Sequence, residues 1–177
     1  MLVTLGGRPQ VDDLVDLLAT CHRRIREHLR LARRLAEAPD DAPEADLRDA
    51  AAKVARYFEI GLPAHVADEE EEIAPRVRGR FGPEVDAVVA GMISQHTHHI
   101  WPIARLVVCC EVIAQNPRLL RDRRAELARL VEQLVVELAD HLEAEERVLF
   151  PAIRALPAAE RVAIREGMRR RRERLLS

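Results

Sequence analysis

Apolar residues recur at steps of three and four along almost the whole chain, the spacing of one face of an α-helix. The first stripe, Leu14, Leu18, Ile25, Leu29 and Leu35, predicts a helix from about Val11 to Ala38. Pro39-Asp-Asp-Ala-Pro43 ends it, because closely spaced prolines do not continue a helix. A second stripe, Leu47, Val54, Phe58, Leu62 and Ile73, predicts a helix from about Glu44 to Arg78. After the turn Gly79-Arg-Phe-Gly-Pro83 a third runs to about Gln115, with Pro83 suited to its first turn. Asn116-Pro117 precedes a fourth, from about Leu119 to Arg154, which carries Leu127, Leu134, Leu138, Val148 and Leu149. Short connections between long helices predict antiparallel neighbours. The expected fold is therefore all-α, an antiparallel up-down-up-down four-helix bundle. Residues 157–177 predict a short fifth helix with a basic end, and the chain 1–177 reads as a single domain with its bundle over about 11–154. Pro63 and Pro102 fall inside helical patterns. Each removes a backbone hydrogen bond, so each is expected to kink its helix, curve it or mark a break.

Composition supports helices and narrows the function classes. Hydrophobic residues make up 48% of the chain and charged residues 33%, a globular balance, while aromatics at 3% disfavour a sheet-rich protein. A formal net charge of −2 gives no global attraction to nucleic acid or anionic membrane, and neither partner is expected. No uncharged apolar stretch reaches the ~20 residues of a membrane span. The apolar run within 103–114 is broken by Arg105 and Glu111. The opening Met1-Leu-Val-Thr-Leu-Gly-Gly-Arg-Pro9 lacks the basic and apolar blocks of a signal peptide. Three cysteines, Cys21, Cys109 and Cys110, make no disulfide framework, so a reducing cytoplasm is expected.

The chemistry lies in a repeat. His65-Val-Ala-Asp-Glu69-Glu70 and His141-Leu-Glu-Ala-Glu145-Glu146 share one pattern, and each is followed by a proline ten residues after its histidine, Pro75 and Pro151. Residues i and i+4 share a helix face, so each copy aims an imidazole and a carboxylate the same way. His22 and His65 are nearly equidistant from the Pro39–Pro43 turn, His65 and His96 from the Gly79–Pro83 turn, and His96 and His141 from Asn116-Pro117. Antiparallel packing would put these four histidines in one layer, one from each helix. His22, His65, His96 and His141 also fall on apolar stripes, as do Glu69 and Glu145. His98 shares a side with Ser94 and Arg105 and is expected to face solvent. Facing leaves His28 and His99 open, the latter as a ligand or as a buried histidine behind one. Glu70 and Glu146 turn away by one residue and are expected at the solvent side or behind a ligand. The acidic runs Asp68–Glu72 and Glu143–Glu146 would by themselves read as solvated faces. A buried carboxylate one turn from a core histidine needs a partner, and a metal supplies one.

Four imidazoles and two carboxylates form a mixed nitrogen and oxygen donor set that suits iron best, with manganese or zinc as other options. A single zinc would need only four ligands. The expected metal ligands are His22, His65, Glu69, His96, His141 and Glu145. The expected cofactor is iron, two per chain, bridged by carboxylate and by an oxo group.

These residues resemble the hemerythrin family in its broad HHE cation-binding branch, over about Leu14 to Leu156. Cys21-His22-Arg-Arg-Ile25 is similar to the first-helix motif, Pro63-Ala-His65-x3-Glu69-Glu70 to the second, Gln95-His96 to the third and His141-x3-Glu145-Glu146 to the fourth. The tail from Leu156 to Arg170 resembles the closing segment of many such proteins. Membership would imply a non-haem di-iron centre in an antiparallel bundle, held by the same six residues. The chain departs from oxygen-carrying hemerythrins: Ile100 stands where they have a second third-helix histidine, and the fourth helix carries H-x3-E instead of H-x4-D. The double H-x3-E looks more like di-iron proteins of iron–sulfur cluster repair and nitric oxide stress.

The expected function is binding of, or reaction with, a small diatomic or peroxide: O2, peroxide or nitric oxide. The alternative is a metal- or redox-sensing module acting on a protein partner, with Arg169–Arg172 and Arg174 as a basic contact or simply a solvated helix end. A third reading is a plain structural bundle. Tyr57 is expected to pack rather than to react, and Cys109 and Cys110 to be buried thiols.

Overall fold

The computed structural model describes residues 13–176, so the expected first helical turn before Asp13 lies outside the described residues. Among the described residues every regular element is helical. The first helix, α1 (Leu14–Ala36), starts at Asp13, whose carboxylate accepts from the Val15 backbone N–H at 3.1 Å and satisfies one of the open amides of the first turn. The second, α2, spans 44–77. It joins three α-helical stretches, Glu44–Arg56, Leu62–Ala67 and Ala74–Val77, through two π-helical segments, Tyr57–Gly61 and Asp68–Ile73. Gly79 (φ 73°) and Gly82 (φ 96°) then take the left-handed backbone that the tight turn into α3 (Pro83–Gln115) requires. A 3₁₀ turn at Pro117–Leu119 leads into α4 (120–155), which carries a π-helical segment at Glu145–Leu149. The last helix, α5, is Ala158–Leu176.

α1 and α3 each pack against both α2 and α4, so the four long helices close into a ring. Residues near the ends lock one end of the bundle. Arg124, early in α4, donates to the carbonyls of Ala36 (2.8 Å) and Ala38 (2.6 Å) at the end of α1. Arg48, early in α2, donates to Ala114 near the end of α3 at 3.3 Å.

The apolar interior is divided in two. One cluster contains Ile25, Leu29, Leu62, Leu106, Leu134, Leu138 and Leu142. The other contains Leu18, Ile73, Met92, Val148, Phe150 and Ile153, and also Ile164 and Met168 of α5. His22, Glu69, His96 and Glu145 stand in sequence between members of the two clusters on their own helices. The polar layer is thus enclosed by hydrocarbon at both ends.

The interior prolines have distinct outcomes. α3 continues through Pro102 as one α-helix. Pro63, Pro75 and Pro151 each follow a π-helical segment by two residues. A proline has no N–H for the residue four back, and a wider turn ahead of it relocates that loss.

Candidate metal centre

Each long helix delivers one histidine to a common layer, and α2 and α4 each add a glutamate one turn on. His22, His65, His96, His141, Glu69 and Glu145 are all buried, none more than 7% exposed. The imidazoles of His22 and His65 stand 5.2 Å apart between ring centres, and those of His96 and His141 5.0 Å. The two carboxylates lie between these pairs. Glu69 turns Oε1 toward His65 Nε2 (3.3 Å) and His22 Nε2 (4.0 Å), and Oε2 toward His96 Nε2 (3.3 Å). Glu145 turns Oε2 toward His22 Nε2 (3.3 Å) and Oε1 toward His141 Nε2 (3.1 Å). Two four-residue groups result, His22–His65–Glu69–Glu145 and Glu69–His96–His141–Glu145, each with ligand atoms within 4.8 Å of one another and able to hold a metal ion. Both carboxylates belong to both groups.

Three of the imidazoles are steered from behind. His22 Nδ1 pairs with Glu146 Oε1 at 2.9 Å, and Arg26 holds that carboxylate at 2.8 Å. His96 Nδ1 pairs with Glu70 Oε1 at 2.8 Å, and His141 Nδ1 with Gln95 Oε1 at 2.8 Å. An N–H at Nδ1 leaves the Nε2 lone pair free to face the centre.

The inward-facing atoms lack partners. His22 Nε2, both ring nitrogens of His65, Glu69 Oε2, His96 Nε2 and both oxygens of Glu145 make no hydrogen bond. Buried polar atoms are nearly always satisfied, and each orphan costs about 1–3 kcal/mol. So many converging in one layer fit a bound cation, which would satisfy them together.

Without a cation the layer is electrostatically frustrated. Burial and the neighbouring Glu69 charge push the Glu145 carboxyl up to about 8. Burial also opposes charge on Glu69, but the imidazoles of His65, His22 and His96 outweigh it and hold this carboxyl well below the usual range. Burial opposes charge on His22 too, yet the carboxylates of Glu145, Glu69 and Glu146 around its ring raise it to about 9. Burial lowers His65, and it lowers His141 to about 3.

The structure brings all six expected residues into this layer. His99 is buried beside it, its ring 5.6 Å from that of His141 and its Nε2 3.7 Å from Glu137, but it belongs to neither four-residue group. His28 lies elsewhere, stacked on Tyr57 at 3.9 Å with Nδ1 bound to the Arg24 carbonyl. His98 is exposed and bonds the Ser94 carbonyl. Glu70 and Glu146 stand behind ligand-side imidazoles. Cys109 and Cys110 are buried, and burial raises both thiols.

Sequence reasoning missed Asp68. It is fully buried, accepts from Arg171 Nε at 3.0 Å and Arg172 Nη2 at 2.6 Å, and so ties α5 to the segment that carries Glu69. Its signal was present: a carboxylate directly before Glu69 and an arginine cluster in the last helix. An acidic run and a basic helix end each read as solvated when taken apart.

The family model described as the hemerythrin HHE cation-binding domain matches residues 13–107 and 103–176, which together span all the described residues. A comparison with curated proteins returned no match.

Proposed function

This chain belongs to the hemerythrin HHE cation-binding family, and from that premise we propose that it is a non-haem di-iron protein which binds or reacts with a small oxidant: O2, peroxide or nitric oxide. The observation that carries the reading is the sharing of Glu69 and Glu145 between two groups of potential ligands whose inner atoms have no other partner. In this reading His22 and His65 would hold one metal and His96 and His141 the other, with Glu69 and Glu145, which belong to both groups, available to either. The imidazole and carboxylate donor set without thiolate suits iron, with manganese or zinc as other options. When bound, the irons supply Lewis acidity and electrons.

The chain's own residues do the rest. Glu146, Glu70 and Gln95 fix the orientation of three imidazoles, which preserves the donor geometry through a change of metal charge. Apolar clusters close the layer to bulk water at its two ends. His99, whose charged form burial disfavours, can offer one hydrogen bond at the layer's edge. We also read the four long helices as running up-down-up-down within a single domain. The end pairings of α1 with α4 and of α2 with α3 support this. No helix among the described residues is long and apolar enough to cross a membrane. A reducing cytoplasm fits three cysteines that are all unpaired.

A sensing role through a protein partner has one observation in its favour. Asp68, adjacent to Glu69, is held by Arg171 and Arg172, which links the layer to the basic last helix.

Iron counted per chain, with the ultraviolet–visible spectrum before and after mixing with peroxide or nitric oxide, tests the reading. About two irons per chain and an oxidant-dependent spectrum are expected. A full iron complement with a spectrum that no oxidant alters would remove the reactive function and leave sensing or storage.

A further inference from the structure

A cavity of about 610 Å³ runs between α2 and α3 from the surface to the histidine layer. Ile100 and Val108, 66% and 56% exposed, stand at its mouth, while the fully buried Ile25 and Phe58 line its depth. His65, His96 and His141 meet its inner end, with His99 beside them. The remaining carboxylates of the lining, Glu59, Glu70 and Glu71, lie on α2 toward the exposed rim or behind His96.

The cavity is far too large for the small oxidants. A water takes ~30 Å³ of liquid volume, so a peroxide of about two waters' size fills roughly a tenth of it. Pockets of 300–1,000 Å³ suit organic molecules. The distribution of polarity states which kind. Apolar side chains form most of the walls, and among the described residues the buried polar groups of the lining, His65, His96, His99 and His141, converge at one end. An occupant with a polar group at its middle or outer end would strand that group against hydrocarbon.

We propose that this cavity binds a single-headed aliphatic molecule, its chain lying between α2 and α3 and its oxygen-bearing head against the imidazole layer. The recognition of the head rests on the metal-centre reading. The recognition of the chain rests only on the cavity.

Calorimetric titration of the iron-loaded full chain with straight-chain carboxylates from butanoate to decanoate tests this, repeated on metal-free protein. One site per chain is expected, with affinity rising about fourfold per added methylene. Octanedioate should bind about tenfold or more weaker than octanoate, because its second carboxylate meets apolar wall. Val66→Phe and Ala104→Phe plug the cavity from its two sides and should each weaken octanoate about tenfold or more. Ala104 is exposed, so that plug leaves the core intact. Val136→Phe, at an exposed position outside the cavity, should change nothing.

Binding that ignores chain length, or that survives both plugs, overturns the proposal. So does self-association that covers Ile100 and Val108 while octanoate fails to bind. Chain-length-dependent binding by a protein that takes up no iron supports the cavity and overturns the metal-centre reading. Iron uptake with no carboxylate binding does the reverse.

Discussion

Glu145 stands under opposed demands. Its oxygens face His22 and His141, yet Glu69 lies beside it and burial disfavours its charge. A cation reverses that balance. Glu145→Ala should therefore cut iron content by at least about half and lower the melting temperature of iron-loaded protein. Parallel iron analysis and calorimetry of both forms check this, and unchanged iron in Glu145→Ala and Glu69→Ala would end the bridging role. Behind the ligands the effects are smaller. Glu70→Ala and Glu146→Ala, which free the Nδ1 sides of His96 and His22, should each weaken metal binding about 10–100-fold in competition with a chelator. The layer also sets a pH dependence. The metal-free fold raises His22 from 6.5 to about 9 and Glu145 from 4.5 to about 8, so both favour folding when protonated, and their contribution disappears as pH rises through those values. The melting temperature of metal-free protein should fall between pH 6.5 and 9. Iron-loaded protein should hold or gain stability there, since metal binding displaces the protons these groups carry. A flat metal-free profile across that window would contradict the assignment.

At the scale of the element, the π-helical segments decide where side chains go. In Asp68–Ile73 five consecutive acidic residues divide four tasks. Asp68 and Glu71 meet α5, Glu69 the centre, Glu70 His96, and Glu72 Arg76. A hydrophobic stripe does not report such a segment, because one added residue in a turn barely disturbs steps of three and four. Pro63, Pro75 and Pro151 were legible as breaks in helical pattern, but their effect lies two residues ahead of them, in the wider turns. Asp68→Asn should cost about 1.5–3 kcal/mol of stability by weakening two charged hydrogen bonds. It should also lower iron affinity without removing a ligand, because Glu69 is on the same turn. Loss of stability with iron affinity unchanged would make this contact purely structural.

For the whole molecule, the division of the interior predicts what metal removal does. Two apolar clusters, each built from several helices, stand on either side of the polar layer. Chelation should leave the far-ultraviolet helical signal almost unchanged and lower the melting temperature by about 10–20 °C, the shift expected when free metal exceeds its dissociation constant about a hundredfold at each of two sites. Collapse of the helical signal on chelation would mean that the clusters cannot hold the bundle alone.

Local spacing is enough to commit these residues to helices, to mark their breaks and to group His22, His65, His96 and His141 by depth, because a helix repeats every few residues and its periodicity is written in neighbours. The repeated H-x3-E is of the same kind. What spacing cannot contain is direction across the bundle. The meeting of Asp68 with Arg171 and Arg172 spans about a hundred positions, and the cavity is a gap between two helices that no stripe describes. The inward turn of both oxygens of Glu69 and Glu145 depends on all four helices at once. Those features were decided by tertiary packing, since only packing determines which buried group finds a partner and which is left facing the centre.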